Sequence, residues 1–558
     1  MDWYVYVLIG IAVIIFLIVQ SVNAKKKSIE RLEKKIKDAW GKASTREYTF
    51  NEFQRIKFFF EKVKGDNCID NITWNDLGMD DVFKDMNNTS SSVGEECFYR
   101  MLRDTSFDVD ILKKRDVIVD YLLEHEEEAM KLEKIFALMG RSKSISVYEF
   151  IHRLDHIEKT DNIQHYFCDA FLVVAISSFF IKPEVGIVLA IAAVVFSVVT
   201  YFSSKAKVEN YFVCFKYIIA MLDGAKKVSD LNISALDEYN LKLDKLYTGL
   251  KKHFRGSGLF TNGNVGGSLT EIILDYVRMI THIDLIMFNS MVANLKKHRK
   301  EADELYECLG ETEAFYAIAS YRKFLRNGYG YYCKPEFSET RKICAHSVYH
   351  PMIEKPVANS IETEKGVLLT GSNASGKSTF LKTIAINGIL AQSVYTCTAE
   401  SFTMKNAIVM SSMALKDDLE NNESYYIVEI KSLKRILDKM KAGSSIMCFV
   451  DEVLRGTNTV ERIAASSEIL QSLENENVMC FAATHDIELT HILENSFNNY
   501  HFREEIKDND ILFDYKLFEG RAVTRNAIKL LNIIGYDRDI IERAEGRALK
   551  FTDIGKWE

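Results

Sequence analysis

Nine residues, Gly371-Ser372-Asn373-Ala374-Ser375-Gly376-Lys377-Ser378-Thr379, carry the spacing G-x-x-x-x-G-K-S. That spacing suits a phosphate-binding loop, because glycines let the backbone turn tightly enough to aim successive N–H groups at a β-phosphate. Lys377 has the length to reach β- and γ-phosphates, and the Ser378 hydroxyl is placed to ligate Mg²⁺. Such a loop needs a strand before it and a helix after it, so that the positive helix end adds to the anion site. Val367-Leu368-Leu369-Thr370 reads as the strand, and Phe380-Leu381-Lys382-Thr383-Ile384 as the start of the helix. A nucleoside triphosphate and Mg²⁺ are the expected ligands.

Two further strand ends carry complementary groups. The apolar run Ile446–Val450 has the pattern of a strand buried on both faces, and it ends in Asp451-Glu452. Asp451 is placed to hold Mg²⁺ through its water shell, and Glu452 to orient or deprotonate an attacking water. A third run, Val478–Ala483, ends in Thr484-His485, where an imidazole can sense the γ-phosphate. Glu452 and His485 are the expected catalytic residues.

With these motifs in place, residues Tyr349 to about Ala548 resemble the ATPase domain of the MutS mismatch-repair family, which is of the ABC class. The matching pieces are His350-Pro351, the loop at 371–379, Asp417-Asp418-Leu419 with Ser424 and Val428-Glu429, DEVLRGTNT at 451–459 and ATHDIELT at 483–490. The resemblance implies two composite ATP sites in a homodimer, with Ser424 reaching the partner's γ-phosphate. It also implies that Asn526 to Ala548 forms closing helices that pack the dimer. A fainter similarity, to the start of the family's helical core, begins near Asp81-Val82-Phe83. The chain departs from the family at Ser372 and Ala374-Ser375, where a Pro and a Met-Gly pair are usual. It departs again at Asn422-Glu423-Ser424-Tyr425, where Gly-Arg-Ser-Thr is usual. Glu423 in place of an Arg reverses a local charge and bears on activation in trans.

The front of the chain differs more. Trp3 to Val19 is apolar and uncharged, with Trp3 and Tyr4 as interfacial aromatics. Lys25, Lys26, Lys27, Arg31, Lys34 and Lys35 follow, so the positive-inside rule places the rest of the chain in the cytoplasm. Tyr166–Ile181 and Val185–Phe202 are also apolar, joined by Lys182-Pro183-Glu184, and read as a spanning or re-entrant hairpin with both ends cytoplasmic. The expected organisation is a signal anchor at 1–23, a cytosolic helical region at 24–164, and a transmembrane hairpin at 165–203. A helical lever at 204–340 and an α/β ABC-class P-loop ATPase domain at 341–558 complete it. The expected location is the inner membrane, multi-pass, with the ATPase domain in the cytoplasm.

Composition separates the functional alternatives. The net charge is −8 over 558 residues, which gives no whole-chain attraction to a polyanion. About sixty residues separate the first apolar run from the core-like start, too few for mismatch-reading and connector domains. DNA therefore enters as a partner through the resemblance alone. Four prolines and periodic charged-apolar stretches indicate helix outside the ATPase domain, and ten cysteines without C-x-x-C pairing indicate reduced thiols. The expected function is a membrane-anchored ATPase whose dimer drives motion in the helical and membrane region, acting on an unknown protein partner. The alternative is a membrane-tethered DNA-binding protein of mismatch repair or recombination. Only Asp169, near a span end, is a candidate intramembrane charge, which argues against a transporter.

Overall fold

The structure is a computed structural model. It describes residues 3–142, 145–154, 162–254, 269–372, 375–413, 425–454, 457–507, 510–522, 528, 531 and 534–554. The chain divides into two compact units. The first comprises Met1–Lys64, Lys84–Met101 and Lys114–Phe324; the second comprises Gly65–Phe83, Leu102–Lys113 and Leu325–Glu558.

The second unit holds two sheets. Its strands are β1 Glu336–Ser338, β2 Ile343–Val348, β3 Asn359–Thr363, β4 Gly366–Thr370 and β5 Ser401–Lys405. They continue as β6 Ile408–Ser412, β7 Ile446–Asp451, β8 Val478–Ala483, β9 Phe497–Lys507 and β10 Asp510–Glu519. The larger sheet has the order β10-β9-β4-β8-β7-β6, parallel throughout except for the antiparallel β10 edge. The smaller has the order β1-β5-β2-β3. Strands β4, β6 and β8 are buried at every position, and β7 at all but Asp451, as continuous apolar runs in a covered parallel sheet should be. Because β8 lies between β4 and β7, the carboxyl ends of those three strands are neighbours. That is where ligands bind in open α/β sheets.

Strand β6 is the last strand of its sheet, and it is finished by side chains instead of another strand. Helix Asn71–Asp76, capped at its start by Asp70, supplies them. Thr73 Oγ1 accepts the Ser411 amide at 3.0 Å, and one Asp76 carboxylate oxygen accepts the Ser411 hydroxyl at 2.7 Å and the Met413 amide at 3.0 Å. An open edge is thereby covered.

The first unit is helical in its described residues. Helix Phe50–Val63 begins with a full capping box between Thr49 and Glu52, the reciprocal pairing that satisfies two otherwise orphaned amides. The unit's interior holds buried charge. Glu313 accepts the Ser91 amide at 2.9 Å and also the Ser91 hydroxyl. Glu133 is 1% exposed. Burial, and then the charge of Glu313, pushes the Glu133 carboxyl well above the usual range, and burial pushes Glu313 up as well. Carboxyls raised by folding are favoured protonated, so their effect is neutral in acid and destabilising as pH rises through the folded values. Glu133→Gln is therefore expected to raise stability by about 1–3 kcal/mol at pH 8 and by little at pH 5. Urea unfolding at the two pH values measures it, and equal changes at both would refute the shared-burial explanation.

Two apolar helices pack against each other in this unit. Helix Ile163–Phe179 ends before Lys182, and helix Pro183–Asp230 begins with proline at its first position. The turn is tight: a Cβ on Gly186 would lie 2.4 Å from Phe179 Cα. The second helix runs 48 residues without a break, so the expected boundary at 203/204 falls inside one helix. Where three spans were expected, one candidate is found among the described residues. It is Pro183–Glu209, 27 residues long and apolar enough to cross a membrane. Ile163–Phe179 is apolar but, at 17 residues, shorter. The leading apolar run lies in helix Trp3–Ala39, most of whose apolar side chains fall outside the described residues.

Candidate nucleotide-binding site

The phosphate loop leaves β4 and enters helix Lys377–Ser393. Glycine is required where the loop starts: Gly371 has φ +141°, and a Cβ there would lie 2.7 Å from the Phe502 carbonyl oxygen. Gly376, with φ +111°, precedes the helix. Ser372, Ser375, Gly376, Lys377, Ser378 and Thr379 line one cavity of 580 Å³, together with Glu452. Asn373 and Ala374 lie outside the described residues, as do Asp417-Asp418-Leu419 and Ser424.

The polar groups in this cavity suit an anion. Lys377 Nζ donates to the Gly371 and Ser372 carbonyls at 2.7 Å each. Burial lowers its pKa, opposed by the charges of Asp451, Glu452 and Glu504. The Ser375 hydroxyl is buried without a partner among the described residues. An orphaned hydroxyl inside a lysine-bearing loop is a group that a phosphate oxygen would satisfy.

The carboxyl ends of β7 and β8 bring the other expected residues beside the loop. Asp451 closes β7 and pairs in register with Ala483 at the end of β8. Glu452 follows at φ +61°, in a left-handed conformation that costs a non-glycine residue energy. Its amide donates to the Ala483 carbonyl at 3.0 Å, and its carboxylate lies 3.0 Å from His485 Nε2. The strained backbone thus aims the carboxylate at the histidine. Leu454, also at positive φ, donates its amide to Glu429 on helix Tyr425–Lys441. Arg462 holds Asp486 through two bonds, 2.9 and 2.6 Å, and so fixes the turn after His485. Among the described residues no three His, Cys, Asp or Glu side chains cluster as a metal site. Magnesium commonly keeps several waters and takes few protein ligands, so binding it beside phosphates does not require such a cluster.

Some lining residues carry no motif. Ile353, Val357, Phe502 and Tyr515 are among them, and His350, from the matching His350-Pro351 pair, lines the wall as well. Burial, helped by Lys382, pulls His350 down to about 4, so it is neutral at physiological pH and its Nδ1 accepts the Met352 amide at 3.2 Å. Tyr515 sits at φ +53° within the irregular stretch of the β9–β10 pairing, between Phe513 and Leu517. Glu504, on β9, accepts the Ser372 hydroxyl. A bulge position and an alternating strand position leave no sequence signal of nearness to a loop over 130 residues away.

Comparison with known proteins matches residues 367–552 to MutS domain V. The DNA mismatch repair protein MutS of Pseudothermotoga lettingae is 28% identical over 269 residues, covering 46% of this chain and 32% of that protein. Its counterpart from Thermus thermophilus is 28% identical over 257 residues, 45% of this chain and 31% of that one. Human MutS protein homolog 4 is 34% identical over 212 residues, 35% of this chain and 22% of that one. The chain thus spans about a third or less of the length of these relatives. The chain is related to the MutS family, distantly and over the C-terminal part of its length.

Proposed function

We propose that this chain is a membrane-anchored, Mg²⁺-dependent ATPase that works as a dimer and passes the motion of its ATPase unit to an apolar hairpin. What carries the reading is the convergence of Lys377, Asp451, Glu452 and His485 at three neighbouring strand ends, with Lys377 and Glu452 lining one cavity and His485 paired to Glu452. In this reading the loop amides, Lys377 and the loop hydroxyls bind the phosphates. Ser378 and Asp451 hold Mg²⁺, which supplies charge neutralisation on the phosphate oxygens. Glu452, fixed by its backbone bond and by His485, accepts the proton of the attacking water. Tyr515 and Ile353 offer an aromatic and an aliphatic surface to a base. Ser424, one residue ahead of helix Tyr425–Lys441, serves the partner subunit's site.

The membrane part rests on exposure. Val173, Val174, Ile176, Phe180, Ile181, Val188, Val195, Val199 and Phe202 are all more than half exposed. Only 22% of the most apolar window of Pro183–Glu209 is buried. A contiguous apolar surface of this kind needs a lipid or protein cover. Lysines 205 and 207 at one end favour a cytoplasmic exit. A reporter at Pro183 should accordingly read outside the cytoplasm and one at Lys205 inside; a cytoplasmic signal at Pro183 would replace the span with a re-entrant or protein-covered hairpin.

The names of the relatives favour a second reading, DNA binding. ATPase assays of the detergent-purified chain with duplex, mismatched and branched DNA, or with lipid vesicles, separate the two. Stimulation by DNA supports the second reading, and stimulation by vesicles alone the first.

A further inference from the structure

A second cavity, of 540 Å³, opens where the apolar hairpin meets the rest of the helical unit. Three helices form it, each through residues at helical spacing. Helix Pro183–Asp230 contributes Ser204, Lys207 and Val208, which share one face at i, i+3 and i+4. Helix Ile283–Lys297 contributes Leu285 and Asn289, one turn apart. Helix Ile163–Phe179 contributes Gln164 and His165 on the polar side, and Phe167 on the apolar side.

The lining has two characters. Phe167 is 62% exposed and continues into the uncovered apolar surface of the hairpin. Lys207, Gln164, Ser204 and Asn289 supply one cation and several neutral polar groups, and no carboxylate lines the cavity among the described residues. Acids on the same elements are otherwise placed or engaged: Asp284 accepts the Tyr201 hydroxyl at 2.8 Å, while Asp169 and Glu209 do not line it. Lys205 is likewise engaged, its Nζ 3.0 Å from the Tyr201 oxygen. Two residues on, Lys207 lies on another face of the helix and is left to the cavity.

The polar floor is linked by hydrogen bonds. His165, 5% exposed, is hydrogen-bonded through Nδ1 to His282 Nδ1 at 3.0 Å, and His282 Nε2 donates to the Ser197 carbonyl at 2.8 Å. A carbonyl only accepts, so His282 carries a proton on Nε2. His282 reaches this position from a left-handed φ of +51° between two helices. Asn289 is held too, donating to the Asn162 side chain at 2.7 Å.

We propose that this cavity is a headgroup site for an anionic phospholipid, its phosphate facing Lys207 and its acyl chains lying along Phe167 and the exposed hairpin. The proposal rests on the membrane reading of the hairpin. Apolar continuity on one side and, on the other, a cation with no carboxylate in the lining among the described residues fit a lipid better than a free anion, which would gain nothing from Phe167.

The test uses the full chain with vesicles of phosphatidylcholine alone, or with phosphatidylglycerol added. The parent chain should co-float with both and prefer the anionic vesicles. Lys207→Glu should lower binding to anionic vesicles about tenfold and leave neutral vesicles unchanged. Lys216→Glu makes the same charge change on the same helix outside the cavity and should keep the preference. Mass analysis of lipids retained through detergent purification should find anionic lipid on the parent chain and on Lys216→Glu, but not on Lys207→Glu. Equal loss in both variants would mean a diffuse surface effect and overturn the site, as would equal binding to both vesicle types. Saturable inorganic phosphate binding that depends on Lys207, without lipid preference, would also overturn it. Failure to float with any vesicle would sink the membrane reading itself.

Discussion

Glu452→Gln is expected to bind ATP about as tightly as the parent chain while hydrolysing it about 10²- to 10⁴-fold more slowly. The amide keeps the size of the side chain and leaves the Glu452 backbone bond to Ala483 untouched. What it loses is the ability to take a proton, which matters only as charge develops on the water. Lys377→Ala should show the reverse split, with nucleotide binding about 10²-fold weaker, because charged hydrogen bonds to ground-state phosphates are removed. Binding of a fluorescent ATP analogue and phosphate release, measured on both variants, give the two readouts. Normal turnover in Glu452→Gln would show that the carboxylate only braces His485, and the base would have to be sought elsewhere.

Asp76→Ala is expected to damage hydrolysis from a distance. One carboxylate oxygen accepts both the Ser411 hydroxyl and the Met413 amide, and Asp76 is 5% exposed. Truncation strands two buried donors, at about 1–3 kcal/mol each. The loss falls at the end of β6, immediately before the 414–424 segment that carries Ser424. Nucleotide binding should survive, since no cavity residue is touched, but hydrolysis should fall if that segment completes the partner's site. Asp76→Asn, which keeps one acceptor oxygen, should recover much of the stability. A variant destabilised by about 3 kcal/mol or more that hydrolyses normally would separate the clamp from function and leave it purely structural.

The local parts of the candidate site were legible in the sequence because each lies where chain order and space coincide. Strands β4, β7 and β8 are continuous apolar runs, and Lys377, Asp451, Glu452 and His485 sit at or just beyond their carboxyl ends. What was hidden depends on distance along the chain. Asp76 and Thr73 reach β6 across more than 330 residues. Tyr515 and Glu504 reach the phosphate loop through a hairpin whose register shifts. The continuity of helix Pro183–Asp230 was hidden for another reason: Lys205, Lys207 and Glu209 mark the end of an apolar run, not a change of backbone, and all three are good helix formers.

The chain crosses between its two units at 64/65, 83/84, 101/102, 113/114 and 324/325. Order of synthesis then becomes a physical problem. Residues 65–83 and 102–113 leave the ribosome some two hundred residues before the rest of their own unit. At ordinary elongation rates that is a delay of roughly 10–40 s. Throughout it Ile69, Trp74, Leu77 and Met79, all buried in the finished unit, have only the 102–113 segment of that unit to pack against, through contacts such as Arg103 over the Trp74 ring. A fragment beginning at 341 would never receive them, and its β6 edge would stay open to other chains. Soluble expression of the nucleotide-binding part should therefore require supplying 65–113 as well, joined or in trans.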